Sequence, residues 1–238
     1  APVLFPIIGQ LLDGKYRYSG REYEMPKHGF ARHSVFAIKE QSEDSMTFSL
    51  ASSDETRKCY PFEFELLIKY SVSGHTLRCT STVINKTDGE MYFSIGAHPG
   101  FNCRIGDATE FEKGENLRTM RIDSNSILMN ETFPVELENG NTIRLTEHIF
   151  DKDALILEGL NSESLRLVSS DRTVKFTFGK APYLGIWAKP NAPYVCLEPW
   201  YGVNDSCDKK DSIAKKRGIE KLEKGETFSF DWTAELEG

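Results

Sequence analysis

The feature that most constrains this chain is a period of two in its apolar residues, repeated from one end to the other. Leu77-Arg78-Cys79-Thr80-Ser81-Thr82-Val83 places apolar and polar side chains alternately, and so does Phe62-Glu63-Phe64-Glu65-Leu66. Near the C-terminus Phe228, Phe230, Trp232 and Ala234 alternate with polar neighbours in the same way. Successive side chains of a strand point to opposite faces, so this alternation specifies half-buried strands and cannot present a continuous apolar stripe on a helix. Strand patterns are predicted at 34–39, 45–51, 60–73, 76–85 and 91–95, then at 118–122, 126–129, 133–137 and 142–145. Further ones fall at 165–169, 174–178, 184–187, 194–197 and 227–234. A short hairpin is expected across 16–18 and 21–25, and 104–116 reads as loop. Ser73-Gly74-His75 and Glu138-Asn139-Gly140-Asn141 are turn signals between strands. One stretch, 211–218, has helical composition. The expectation is a single all-β domain over residues 1–238, a large antiparallel β-sandwich with very little helix.

At 238 residues the chain can bury a substantial core. A formal net charge of −7 disfavours nucleic acid as a partner. No run of eighteen apolar residues is present, so no membrane-spanning helix is expected. The five cysteines, at positions 59, 79, 103, 196 and 207, form no CxxC pair. Dispersed cysteines in odd number read as reduced thiols of a cytoplasmic protein. The five histidines show no HExxH or comparable ligand spacing, so neither metal nor cofactor is expected. Nothing in the sequence sets the oligomeric state. The opening Ala1-Pro2-Val3-Leu4-Phe5-Pro6-Ile7-Ile8-Gly9 lacks the charged start and apolar core of a signal peptide and reads like the inside of a domain, with residues expected upstream of it.

Three stretches stand apart from this background. In Ser94-Ile95-Gly96-Ala97-His98-Pro99-Gly100-Phe101-Asn102 a strand pattern stops, presents one histidine and turns away at Pro-Gly. Pro99 biases His98 toward extended geometry and offers no amide hydrogen of its own. A titratable ring held at a strand end suits acid–base work near neutral pH, though a turn histidine bonded to a backbone carbonyl has the same sequence. Tyr194-Val195-Cys196-Leu197-Glu198-Pro199-Trp200 repeats the pattern with a carboxylate. Pro199 and Trp200 would partly desolvate Glu198, raising its pKa and strengthening it as a base, whereas this stretch by itself favours a rim carboxylate paired with a lysine. Trp187 and Trp200 offer flat apolar faces of the kind that stack on sugar rings. His28-Gly29-Phe30-Ala31-Arg32 puts a ring and a guanidinium four residues apart on a loop, where they could converge on one polar ligand or simply be solvated.

Taken in order, His28-Gly29-Phe30-Ala31-Arg32, Ala97-His98-Pro99-Gly100-Phe101-Asn102 and Leu197-Glu198-Pro199-Trp200-Tyr201-Gly202 resemble the aldose 1-epimerases (galactose mutarotases), with the LacX-like branch nearest. The resemblance extends to the Pro2–Gly9 opening and to residues 222–228. It implies the galactose mutarotase-like supersandwich and an isomerase that interconverts the α and β anomers of a hexose or hexose phosphate. On this resemblance His98 is the general acid, Glu198 the general base, and His28 and Arg32 hold sugar hydroxyls or the ring oxygen. The family also places an acid between the catalytic pair, and both Asp151 and Asp153 match it. Lys27 stands where the sugar-phosphate branch tends to have glutamine. The competing reading is a non-catalytic carbohydrate-binding β-sandwich. If the enzymatic reading holds, His98 and Glu198 share one cleft at a separation of roughly 5–8 Å, with the sugar between them, Glu198 setting the acid limb of the pH profile and His98 the alkaline limb.

Overall fold

The computed structural model describes residues 2–208 and 212–237. Among these residues, two large antiparallel sheets carry most of the chain. One has eight strands, running from Val3–Leu4 through Ile95–Ala97, Tyr194–Tyr201, Tyr183–Trp187, Leu155–Glu158 and Arg118–Ile122 to Leu128–Pro134, with Gly100–Asn102 also paired to Tyr194–Tyr201. The other has nine, ordered Thr142–Arg144, Ala108–Phe111, Ser164–Val168, Thr173–Thr177, Thr227–Glu237, Thr76–Asn85, Phe64–Ser73, Ser45–Ala51 and Ala37–Gln41. Two two-stranded antiparallel pairs, the hairpin Lys15–Tyr18 with Arg21–Glu24 and the long-range pair Met91–Phe93 with Glu220–Leu222, complete the strands. The antiparallel sandwich expected from the alternation is present.

The alternation also explains the layering. Leu155, Leu157, Leu184, Ile186, Val195 and Leu197 point from the eight-stranded sheet into a core shared with Phe64, Leu66, Val83, Phe176, Phe230 and Trp232 of the nine-stranded sheet. The opposite face of the eight-stranded sheet carries a smaller apolar cluster, Leu4, Ile8, Met120, Leu128, Ile156, Tyr183, Trp200 and Val203. Burying one aliphatic or aromatic side chain of either cluster is worth about 1.5–3 kcal/mol. The second cluster leaves room beside it for polar groups, and the cleft described below lies on that face.

Several boundaries differ from the sequence reading. The strands predicted at 126–129 and 133–137 are one strand, Leu128–Pro134, whose extra residues between Leu128 and Thr132 bulge against Met120–Ile122 of its partner while pairing resumes on either side. Ala108–Phe111 is a strand within the stretch read as loop, sandwiched between Thr142–Arg144 and Ser164–Val168. Its polar surroundings in sequence hid Ala108 and Phe111, both buried. The helical stretch expected at 211–218 is a single 3-10 turn, Ile213–Lys215, in its described part; Asp211 lies outside the described residues. Eight residues closing on a glycine cannot propagate a helix without tertiary support. A six-residue helix, Asp54–Cys59, occupies a gap between predicted strands. It is held by a reciprocal cap between Ser53 and Thr56, with acids in its first turn and bases in its last. No helix among the described residues is long and apolar enough to cross a membrane.

Candidate active site

His98 and Pro99 form a two-residue interruption between Ile95–Ala97 and Gly100–Asn102, and both of these strands pair with the same neighbour, Tyr194–Tyr201. Gly100, Phe101 and Asn102 face Cys196, Val195 and Tyr194, while Gly96 and Ile95 face Trp200 and Tyr201. Between these two ladders the chain bulges, and the bulge lies opposite Leu197, Glu198 and Pro199. The Leu197 N–H donates to the Pro99 carbonyl at 3.1 Å. Two residues on, the backbone nitrogen of Pro199 points to the same side, where the interruption removes the need for a ladder hydrogen bond. Pro199 therefore sits inside an eight-residue strand, Tyr194–Tyr201, which the sequence reading ended at Leu197. The interruption opposite it is what brings His98 to Glu198.

Period two then lines up Cys196, Glu198 and Trp200 on the cleft face of this strand, with Trp187 and Gly185 beside them from the adjacent strand. Two glycines make the slot for the Trp200 indole. A Cβ at Gly185 would come within 2.8 Å of the indole ring, and one at Gly96 would come within 2.8 Å of its opposite edge. Real Cβ contacts are not that short, so these strand positions admit only hydrogen. Lying in the slot, Trp200 donates its indole N–H to Glu198 Oε2 at 3.2 Å. The other carboxyl oxygen, Oε1, lies 3.3 Å from His98 Nε2. The two groups thus share one cleft but stand closer than the separation expected from the sequence, because the strand interruption puts them side by side on adjacent chain segments. Trp187 meets the His98 ring edge-on, with centroids 6.1 Å apart.

The cleft has a volume of about 670 Å³ and is lined by His28, Arg32, His98, Asp153, Trp187, Glu198 and Trp200 among others. Of the residues singled out in the sequence, Asp151 alone lies elsewhere. Its carboxylate is 2.9 Å from His148 Nδ1 on the outer surface, so Asp153 is the member of the pair that faces the cleft. A left-handed backbone at Asp153 (φ 68°) aims the chain there, and its Oδ1 accepts from the Ala154 N–H. Sequence reading missed Pro26, His33, Ile122, Ala154 and Asn204 as lining residues. They sit in ordinary loop and strand contexts, and no local pattern distinguishes them.

His28 is placed by backbone geometry. It and Gly29 both take left-handed conformations (φ 64° and 72°), and a Cβ at Gly29 would lie 2.1 Å from the Phe5 carbonyl oxygen. Non-glycine residues in that region carry about 1–3 kcal/mol of strain and cluster at functional sites. The Gly9 N–H donates to His28 Nδ1 at 3.1 Å, which leaves the ring's proton on Nε2. Burial, with the charges of Lys27 and Arg32 adding to it, pushes the His28 pKa down to about 3. The ring is a fixed neutral hydrogen-bond donor.

Burial pushes the Glu198 carboxyl up to about 8; the Trp200 donor and the Arg32 charge oppose this, and Asp153 adds to it. Burial likewise lowers the His98 pKa, with the Arg32 charge contributing, against a hydrogen bond to its own backbone. At neutral pH the pair therefore carries one proton, resident on Glu198 with the imidazole neutral. This order is the reverse of the one assumed from the sequence, in which Glu198 titrates below His98. The reason is that both groups are removed from water, which disfavours each charged form.

The aldose 1-epimerase family profile matches residues 1–232. Protein LacX (plasmid) of Lactococcus lactis subsp. lactis is 32% identical over 244 residues, covering 93% of this chain and 80% of that protein. Among solved structures, the galactose mutarotase related enzyme from Lactobacillus acidophilus superposes with a TM-score of 0.91 at 31% identity, covering 100% of this chain and 82% of the other. A galactose mutarotase-like protein from Lactobacillus casei gives 0.92 at 27% identity, covering 99% and 84%.

Proposed function

The chain belongs to the aldose 1-epimerase family, and from that premise we propose that it interconverts the α and β anomers of a hexose or hexose phosphate, with Glu198 as general base and His98 as general acid. The observation that carries this reading is the direct approach of His98 Nε2 to Glu198 Oε1, 3.3 Å, on the floor of a sugar-sized cleft.

Anomerisation requires a proton to leave the C1 hydroxyl and a proton to reach the ring oxygen. Transfer of the shared proton from Glu198 to His98 generates a carboxylate beside an imidazolium, the arrangement that can do both. Glu198 then takes the O1 proton as His98 gives its proton to O5; the C1–O5 bond breaks and an open-chain aldehyde forms. Rotation about C1–C2 presents the other face of the carbonyl. On closure His98 takes the proton back from O5 and Glu198 returns one to O1. Atoms and protons balance with no further reactant. The His28 Nε2–H supplies a fixed donor to a sugar oxygen, Arg32 a cationic fork, Asp153 an acceptor, and Trp187 an apolar wall for a ring face.

Polarimetric anomerisation of a panel of free and phosphorylated aldoses tests this. Glu198→Gln and His98→Asn should each lower the rate by about 10²–10⁴, since each keeps approximate shape but cannot carry the proton. The double variant should be little slower than the worse single one, because the two groups act in one event. A wild-type protein that binds sugars yet never exceeds the spontaneous rate would establish the binding-module alternative instead.

A further inference from the structure

We propose that His98, Cys196 and Glu198 form a binding site for one thiophilic divalent cation of the zinc class, and that this cation competes with the sugar for the acid–base pair. Cys196 is a buried thiol beside the pair that anomerisation leaves unused. It stands two residues from Glu198 on the cleft face of Tyr194–Tyr201, opposite Gly100 in one neighbouring strand and Trp187 in the other. A Cβ at Gly100 would lie 3.6 Å from its sulfur, so only hydrogen stands over the thiol on that side.

His98 Nε2, Cys196 Sγ and a Glu198 carboxyl oxygen all lie within 4.8 Å of one another. Zinc binds imidazole nitrogen and carboxylate oxygen at about 2.0–2.2 Å, so two such ligands of a tetrahedral ion stand roughly 3.3–3.5 Å apart. The observed His98–Glu198 separation of 3.3 Å already matches that edge. The thiol needs only a small approach to supply the third ligand, and the cleft that His98 and Glu198 line gives the cation its approach.

The donor chemistry selects the ion. A nitrogen, a sulfur and one oxygen suit zinc and its softer congeners, whereas magnesium and calcium require oxygen shells. On binding, the cation displaces two protons to solvent, one from the thiol and one from the Glu198 carboxyl, and leaves thiolate, carboxylate and neutral imidazole around a 2+ charge. The net charge is zero, which a buried site tolerates. Such a cation takes the lone pairs of both His98 and Glu198 and so stops proton transfer. The cation site stands independently of the proposed activity; only its inhibitory consequence rests on that reading.

The test uses chelator-stripped protein titrated with cadmium, whose bond to thiolate gives an ultraviolet charge-transfer band, and in parallel with zinc during polarimetric anomerisation. One equivalent of cadmium per chain should produce a band that is absent in Cys196→Ser. His98→Asn, which leaves the buried strand untouched, should retain the thiol but lower cadmium affinity at least about tenfold, since even outer-shell changes cost 10–100-fold. Zinc should slow the active enzyme more than about tenfold, chelator should restore it, and added sugar should raise the zinc needed. A cadmium band that persists in Cys196→Ser, an affinity unchanged in His98→Asn, or an active enzyme indifferent to zinc overturns the proposal. A protein that shows the band but anomerises nothing keeps the cation site and removes the proposed function.

Discussion

Replacing Trp200 by Phe isolates the electrostatics of the pair from its geometry. The flat ring stays in the slot between Gly96 and Gly185, while the indole N–H that donates to Glu198 Oε2 is lost. That donor holds the Glu198 pKa below where burial alone would put it, so its removal raises the pKa further above about 8. A hydrogen bond to a charged group is worth about 1.5–3 kcal/mol, and about 1.4 kcal/mol corresponds to one pKa unit, giving a rise of roughly 1–2 units. The reacting arrangement, carboxylate beside imidazolium, is the minor form of the singly protonated pair. Its share falls as the gap between the Glu198 and His98 pKa values widens. The plateau of kcat/KM should therefore drop about tenfold to a hundredfold, and the alkaline limb, set by loss of the last proton from Glu198, should move upward by about 1–2 units. Above about pH 10, where Glu198 is ionised in both proteins, the two profiles should merge. Polarimetric initial rates across the pH range measure this, with denaturant unfolding run alongside to show that the variant is folded. A uniform loss at every pH, or an unshifted alkaline limb, would refute the reasoning.

Four further outcomes are expected. Asp153→Asn should lower kcat/KM by about 1.5–3 kcal/mol of transition-state stabilisation, the value of one charged hydrogen bond. Asp151→Asn, whose carboxylate faces His148, should leave kcat/KM unchanged in the same assay. Lys216→Met should destabilise the fold by about 3–5 kcal/mol in denaturant titration, because it strands a buried charge. Lys216 Nζ lies 3.3 Å from Asp205, both side chains are almost wholly buried, and Asp205 also accepts from the Leu12 N–H. Finally, glycoside hydrolysis should be undetectable with chromogenic glycosides. Cleavage needs two carboxylates acting across the scissile bond, and the group set directly against Glu198 is His98, 3.3 Å away; robust cleavage abolished by Glu198→Gln would overturn the assignment of roles.

What the sequence determined by itself is local. Alternation at 76–85 and 45–51 yields the strands Thr76–Asn85 and Ser45–Ala51, because a half-buried strand must place every second side chain in the core. The three short motifs carry the family and, with it, the fold. Other features were decided only by packing between distant segments. The backbone interruption at His98-Pro99 sets a histidine against a carboxylate a hundred residues further along the chain, and it lets Pro199 sit inside a strand that sequence alone would end. Asp151 and Asp153 are equivalent in sequence, and only the left-handed turn at Asp153 separates the one in the cleft from the one outside it. The pKa order of His98 and Glu198 is reversed because burial, a tertiary property, outweighs residue type. Cys196 joins them for the same reason: ligand spacing along a chain records metal sites built from one segment, whereas this cluster exists only where two strands and the gap between them meet.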